Sequence, residues 1–71
     1  MELSARNQIT GTITAIELGA FMADVSVDIG NGQHVAAAIT RSSVERLGLQ
    51  AGDQVVLIIK ATDVMDGKPS A

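Results

Sequence analysis

Hydrogen-bond donors are concentrated near the start of the chain, in residues 4–8. The segment offers a hydroxyl, a guanidinium, two carboxamides and a run of backbone N–H groups, in the order Ser4, Ala5, Arg6, Asn7 and Gln8. None of these side chains is acidic, so the segment can surround an anion or contact a partner subunit. A plain polar terminus is the simpler alternative, because the first residues of a domain are commonly frayed.

A second set of donors lies at the start of a predicted short helix. Ser42 and Glu45 have the spacing of a capping box, and Gly48 is suited to end the helix in the left-handed conformation. The first turn would present backbone N–H groups and the hydroxyl of Ser43. Such a turn can bind an anion. Alternatively, Ser42 only caps the helix and Ser43 faces solvent.

A third set of donors follows the last predicted strand. Lys60 ends that strand and is followed by Ala61, with a backbone N–H, and by Thr62, with a hydroxyl. A lysine in this position is commonly a solvated edge charge. However, Arg6, Arg41 and Lys60, three of the five basic residues, lie in or beside the three donor segments. An acidic chain can bind an anion only through such a local concentration of donors.

Alternating apolar and polar residues define the elements that must position these groups. Strands are predicted over residues 8–18, 21–29, 33–40 and 54–61. Gly30, Asn31 and Gly32 tolerate positive φ and predict a hairpin between the second and third strands. The last strand is apolar on both faces, so burial on both sides is expected, with a second subunit as one cover.

The alternation also predicts which side chains face the core. In the first strand, Ile9, Gly11, Ile13 and Ala15 are expected on one face, and Ile16 on the other with the threonines. Gly11 predicts a bend or a close backbone approach. In the second and third strands, the inward residues are expected to be Ala23, Val25, Val27, Ile29, Val35, Ala37 and Ile39.

Length and composition indicate one small domain that needs additional stabilisation. The chain has 71 residues, 46% of them hydrophobic, but Phe21 is its one aromatic residue. It has no cysteine and one histidine, His34, so neither a disulfide framework nor a zinc site is expected. Oligomerisation remains as the source of extra stability. Residues 66–71 are expected to form a disordered tail.

Several functional classes are disfavoured by the composition. Catalysis is not expected, because the sequence shows no evident nucleophile and base, or paired carboxylates, in a reactive arrangement. The net charge of −3 and the near absence of aromatic residues disfavour nucleic-acid binding. No apolar run approaches the roughly 18–20 residues of a membrane span, and no signal-peptide pattern is visible. A cytoplasmic protein without a membrane partner is therefore expected.

Three stretches resemble the molbindin (Mop) family of small cytoplasmic molybdate-binding proteins. They are residues 4–8 followed by Gly11, residues 38–44 leading to Leu47-Gly48-Leu49, and residues 58–64. The resemblance extends over residues 3–65, in the family's order and at similar spacing. Related modules occur at the ends of molybdate transporter ATPases and molybdate-responsive regulators.

The resemblance implies an all-β fold, consistent with the strand pattern: a small OB-like β-barrel of about five strands with one short helix before the last strand. The domain would span residues 1–65. Family members form homo-hexamers, as trimers of dimers, with oxyanion sites at subunit interfaces. The implied function is reversible binding and intracellular storage of molybdate, and of tungstate, without another cofactor or a directly coordinated metal.

The ligand residues implied by the resemblance come from all three donor segments. They are Ser4, Ala5, Arg6, Asn7, Ser43, Lys60 and Ala61, with residues 4–7 contributed by one subunit and the others by its neighbour. An OB-like interaction or regulatory module without oxyanion storage is the main alternative. A nucleic-acid-binding OB domain is a second alternative, which the acidic composition disfavours.

Overall fold

The computed structural model describes residues 6–69, which form one four-stranded antiparallel sheet and a short helix. The elements are β1 (Asn7–Leu18), β2 (Met22–Gly30), β3 (Gln33–Thr40), α1 (Arg41–Leu47), β4 (Gln54–Ile59) and a turn of 3-10 helix, η1 (Ala61–Asp63). The strand order is β3-β2-β1-β4. The all-β class is as predicted, and the described residues contain four strands where about five were expected.

Strand β1 joins the two halves of the sheet. Its first half pairs with β4, from Asn7 opposite Ile59 to Thr12 opposite Gln54. Its second half pairs with β2, from Thr12 opposite Asp28 to Leu18 opposite Ala23. The start and the end of β1 therefore lie in different parts of the molecule.

A bulge near the middle of β1 changes which side chains face the core. The register with β2 shifts between Ile13 and Ala15, which adds one residue to β1. As a result Ala15 is exposed, and Ile16 packs against the core. The prediction that Ala15 shares a face with Ile13, and that Ile16 lies on the opposite face with the threonines, is therefore wrong. Strict alternation holds only where no residue is inserted into the ladder.

Gly11 lies where the backbones of β1 and β2 approach closely. A Cβ atom built on this residue would be 2.4 Å from Val27 Cγ1 and 2.9 Å from the carbonyl oxygen of Asp28. Only a residue without a side chain fits this position. The close approach predicted for this glycine is thus confirmed.

The β2–β3 hairpin follows the prediction from its turn residues. Asn31 has a φ of 55° and Gly32 a φ of 73°, as a tight hairpin turn requires. The inward faces of both strands are also as predicted, with Ala23, Val25 and Val27 buried.

Helix α1 begins at Arg41, whereas a capping box with Ser42 as N-cap would start the helix two residues later, at Ser43. The Thr40 side-chain oxygen accepts a hydrogen bond from the backbone N–H of Ser43 at 3.1 Å, so Thr40 is the N-cap. Ser42 lies inside the helix, and Glu45 bonds to Arg41 instead of closing a capping box. The assignment of Ser42 as N-cap is therefore wrong, whereas Gly48 ends the helix in the left-handed conformation as expected.

The core of the described chain is small and entirely aliphatic. Its buried members are Ile13, Ala23, Val25, Val27 and Val44. Among residues 6–69, eight large hydrophobic residues are exposed, with Phe21 at 84% and Met65 at 92% of their accessible surface. So much exposed apolar surface on so small a domain is consistent with the expectation of oligomerisation.

The end of the chain leaves the sheet earlier than predicted. Strand β4 ends at Ile59, not at residue 61, and η1 begins immediately after Lys60. Residues 64–69 have no regular secondary structure. No helix within residues 6–69 combines the length and apolar content needed to cross a membrane.

Candidate functional site

Two basic residues lie together at the start of β1. Asn7 pairs with Ile59, so the residues immediately outside this pair, Arg6 and Lys60, reach the same end of the sheet. Together with Ala61 and Thr62 they line a concavity of about 430 Å³. The antiparallel register thus brings residues 54 positions apart in sequence into one site.

The concavity contains positive charge without a compensating carboxylate among its lining residues. Arg6 and Lys60 provide the two cations, and none of the four lining residues is acidic. Within residues 6–69 the one ion pair is between Arg41 and Glu45, elsewhere in the fold. Two cations that line an open concavity attract anions, and a dianion can interact with both.

Backbone geometry after Lys60 adds donors to the same concavity. Lys60 is extended, with φ −65° and ψ 141°, and its carbonyl oxygen accepts the N–H of Asp63 at 2.9 Å. This bond closes η1, and the N–H groups of Ala61 and Thr62 are in its first turn, where a helix has no internal acceptors for them. Thr62 also contributes a hydroxyl. The four residues therefore supply a guanidinium, an ammonium, a hydroxyl and backbone N–H groups.

Ser43 lies on α1 and is not among the residues that line this concavity. Its hydroxyl oxygen is 2.7 Å from the Thr40 hydroxyl oxygen, so one of the two donates to the other. If Thr40 donates, the proton of the Ser43 hydroxyl is available to a further acceptor.

The structure brings only some of the predicted ligand residues together. The structure brings Arg6, Lys60 and Ala61 together within one chain, whereas the sequence reasoning placed Arg6 on a different subunit from the other two. Asn7 is adjacent, half-buried in the β1–β4 ladder. Ser4 and Ala5 lie outside the described residues.

Two threonines that line the concavity or position Ser43 were not among the predicted ligand residues. Thr62 lines the concavity, and its position two residues after Lys60 was the available signal. Thr40 holds the backbone and hydroxyl of Ser43. A threonine at the end of a strand, three residues before a serine, could have indicated this N-cap. Among residues 6–69, no group of three or more His, Asp or Glu side chains could hold a metal ion.

The chain matches a known family over most of its length. The TOBE domain family matches residues 3–65 of the chain. The chain therefore belongs to the TOBE domain family.

Its relatives include proteins of similar length that are named for binding molybdenum-pterin or molybdate. Molybdenum-pterin-binding protein 3 of Clostridium pasteurianum is 40% identical over 65 residues, which cover 92% of this chain and 96% of the relative. The solved structure of a molybdate-binding protein from Sporomusa ovata is 38% identical, with a TM-score of 0.90 over 96% of this chain and all of that chain. The resemblance to the molbindin (Mop) family and the OB-like fold are thereby confirmed.

A further solved structure has a chain about twice as long as this one. It is the cytoplasmic molybdate-binding protein ModG, with molybdate bound, at 39% identity and a TM-score of 0.90. The match covers 97% of this chain and 49% of the ModG chain. All three of these relatives are named as binding proteins.

Proposed function

We propose that this protein binds molybdate, and also tungstate, reversibly, and that it stores the ion in the cytoplasm. The observation that supports this most directly is the concavity in which Arg6 and Lys60 lie together without a lining carboxylate. Molybdate is a compact dianion that offers only acceptor oxygens. Its binding site must therefore replace water with donors and balance the charge with cations. The names of the relatives point to the same ligand.

A single copy of the concavity supplies only part of such a donor shell. Arg6 and Lys60 would balance the charge, Ala61 and Asn7 would donate backbone N–H groups, and Thr62 would donate its hydroxyl. Ser4 and Ala5 directly precede Arg6 in the sequence and would add a hydroxyl and a backbone N–H. Because the concavity lined by Arg6, Lys60, Ala61 and Thr62 is open, its residues would cover only part of the ion, and the remainder would require another source of donors.

That source would be Ser43 of a neighbouring copy. Ser43 does not line the concavity of its own chain, and its backbone is fixed by Thr40 at the start of α1. We therefore place the site between copies, in a homo-hexamer built as a trimer of dimers, with residues 1–65 as the binding domain. An ion bound only by the assembled form would also stabilise the assembly by mass action. The protein would then act by binding and release, not by catalysis.

Isothermal titration calorimetry, with native mass spectrometry for stoichiometry, tests this function. Molybdate and tungstate are expected to bind with similar affinity and to appear as added mass on the oligomer. Sulfate should bind more weakly, because a rigid shell built for the larger ion leaves long hydrogen bonds to the smaller one. Equal binding of sulfate would contradict the proposed selectivity. Absence of any oxyanion binding would leave an interaction module as the better description.

A further inference from the structure

The tip of the β2–β3 hairpin consists of Asn31 and Gly32, and both residues are solvent-exposed. The chain has one other asparagine, Asn7, which precedes Gln8 and is half-buried in the β1–β4 ladder. The side-chain amide of an asparagine has a carbonyl carbon that the backbone nitrogen of the following residue can attack. Both asparagines carry this group, so their surroundings decide which of them reacts.

The backbone nitrogen of Gly32 is accessible. Gly32 has no side chain, and a Cβ atom built on it would meet no atom within 4 Å. It also lies outside the β2–β3 ladder, in which Gly30 pairs directly with Gln33. Among residues 6–69 the N–H of Gly32 donates to no acceptor, so no hydrogen bond has to break before this nitrogen reacts.

The side chain of Asn31 is also free to move. In the described part of the chain it makes no hydrogen bond, because the turn bond runs instead from the Gly30 N–H to Asp28 Oδ1 at 2.8 Å. Attack on Asn31 requires rotation about its backbone and side-chain bonds, and exposed loop tips move more readily than ladder residues. At Asn7 the same rotation would disturb the pairing with Ile59. The structure therefore favours reaction at Asn31.

We propose that Asn31 is a site of spontaneous deamidation. The backbone nitrogen of Gly32 forms a bond to Cγ of Asn31, its proton passes to the amide nitrogen, and the Cγ–Nδ2 bond breaks to release ammonia. Water then hydrolyses the resulting succinimide at one of its two carbonyl carbons, which gives aspartate or isoaspartate. The reaction consumes only water, and it does not depend on oxyanion binding.

The two products affect the hairpin differently. Aspartate at position 31 leaves the main chain unchanged and tolerates the φ of 55° found there, so it only adds a negative charge. Isoaspartate adds a methylene group to the main chain of a two-residue turn. Because the length of the turn fixes the register of the flanking strands, the pairing of Gly30 with Gln33 is then strained. The isoaspartate form is therefore the less stable product.

Peptide mapping of the full chain, after incubation of the folded protein at neutral pH, tests the site. A protease that cleaves after glutamate separates the two asparagines, because Glu17 lies between them and Glu45 ends the peptide with residues 18–45. Deamidation raises the mass of a peptide, since a hydroxyl group replaces the amide NH₂. We expect the conversion of Asn31 to exceed that of Asn7 at least several-fold. Equal conversion of the two residues, or none at Asn31, would overturn the proposal.

Two variants test the nucleophile and the effect on the turn. Gly32→Ala should slow the conversion of Asn31 several-fold, because the added methyl group crowds the attacking nitrogen. Gly32→Asn, which tolerates positive φ, takes its place if Gly32→Ala does not fold. An unchanged rate in the folded variant would overturn the assignment of Gly32. Asn31→Asp supplies the aspartate product, and the isoaspartate form, separated by chromatography, should unfold at a lower urea concentration. Equal urea midpoints would overturn the inferred effect on the turn.

Discussion

The two ends of β1 use basic residues in different ways. Near the C-terminal end of β1, Arg41 donates from Nε to Glu45 Oε1 at 3.0 Å and from Nη1 to the Gly19 carbonyl oxygen at 3.3 Å. The backbone N–H of Arg41 also donates to the Phe21 carbonyl oxygen at 2.8 Å. These bonds tie α1 to the β1–β2 turn. At the start of β1, Arg6 and Lys60 line a concavity without a carboxylate. We call these regions the Arg41 end and the Lys60 end.

The comparison shows that the partners of a cation, more than its sequence context, determine its role. Arg41 and Lys60 both lie in or beside stretches that resemble molbindins, and sequence alone does not separate them. In the fold, the charge of Arg41 is balanced locally, whereas the charges at the Lys60 end remain available to an anion within the described chain. The Arg41 end should therefore contribute to stability and the Lys60 end to binding.

Replacing Lys60 should have the largest effect on binding. Lys60→Ala is expected to lower molybdate affinity by about 10- to 100-fold, because a charge-assisted hydrogen bond contributes about 1.5–3 kcal/mol. Lys68→Ala, the same substitution outside the concavity, should change affinity by less than about two-fold. Titration calorimetry on both variants provides the measurement. Retention of full affinity by Lys60→Ala would remove the distinction between the two ends.

Gly11→Ala, midway between the two ends, should have the largest effect on stability, because β1 and β2 approach closely at Gly11. The added Cβ would meet Val27 Cγ1 and the Asp28 carbonyl, and overpacking of this kind costs about 1–3 kcal/mol. Gly67→Ala, with no atom within 4 Å of the added Cβ, should cost little. Urea unfolding followed by far-UV circular dichroism compares them. Similar midpoints for the two variants would show that the close approach is not needed.

The assignment of Thr40 as N-cap predicts a smaller effect on stability at the Arg41 end, which two matched substitutions can test. Thr40→Ala should destabilise the fold by about 1 kcal/mol, because the cap of α1 is lost. Ser42→Ala, inside the helix, should change stability by less than about 0.5 kcal/mol. The difference is measurable by thermal unfolding. A larger loss for Ser42→Ala than for Thr40→Ala would restore the original capping assignment.

The smallest effect is expected for Arg41 itself. Its ion pair with Glu45 is solvent-exposed, with side chains 44% and 63% accessible, so Arg41→Ala should cost about 0.2–1 kcal/mol. Molybdate affinity should stay within about two-fold of the parent, since Arg41 belongs to the other end of β1. Arg46→Ala on the same helix controls for the loss of a positive charge. An affinity loss specific to Arg41→Ala would place this residue in the site.

Local signals in the sequence predicted a large part of the fold. The hairpin follows from Gly30, Asn31 and Gly32 because positive φ is a property of single residues. The bounds of β3 were predicted correctly, as residues 33–40, because its alternation is uninterrupted. The bulge in β1 was missed, since an inserted residue leaves no local mark when Thr14 and Ala15 both fit a strand.

The sequence was sufficient to nominate residues for the candidate site, but not to predict which of them lie together in the fold. Resemblance supplied Arg6, Lys60 and Ala61, but their meeting within one chain depends on the β1–β4 register. That register pairs residues about 50 positions apart, and local pattern does not determine it. The N-cap was misplaced for a related reason. Both Thr40 and Ser42 satisfy the local rule, and the end of β3 decides between them.

The exposed position of Phe21 has a consequence for how this protein appears in solution. Phe21 is the only aromatic residue, and it projects from the β1–β2 turn, so no ring is present in the aliphatic core. Methyl groups in the core are therefore expected to show only small ring-current shifts from their own chain, and the near-ultraviolet circular dichroism of the native state should be almost featureless. A single tryptophan in place of Phe21 would then be the sole intrinsic fluorophore, at a surface where contact between copies would change its emission.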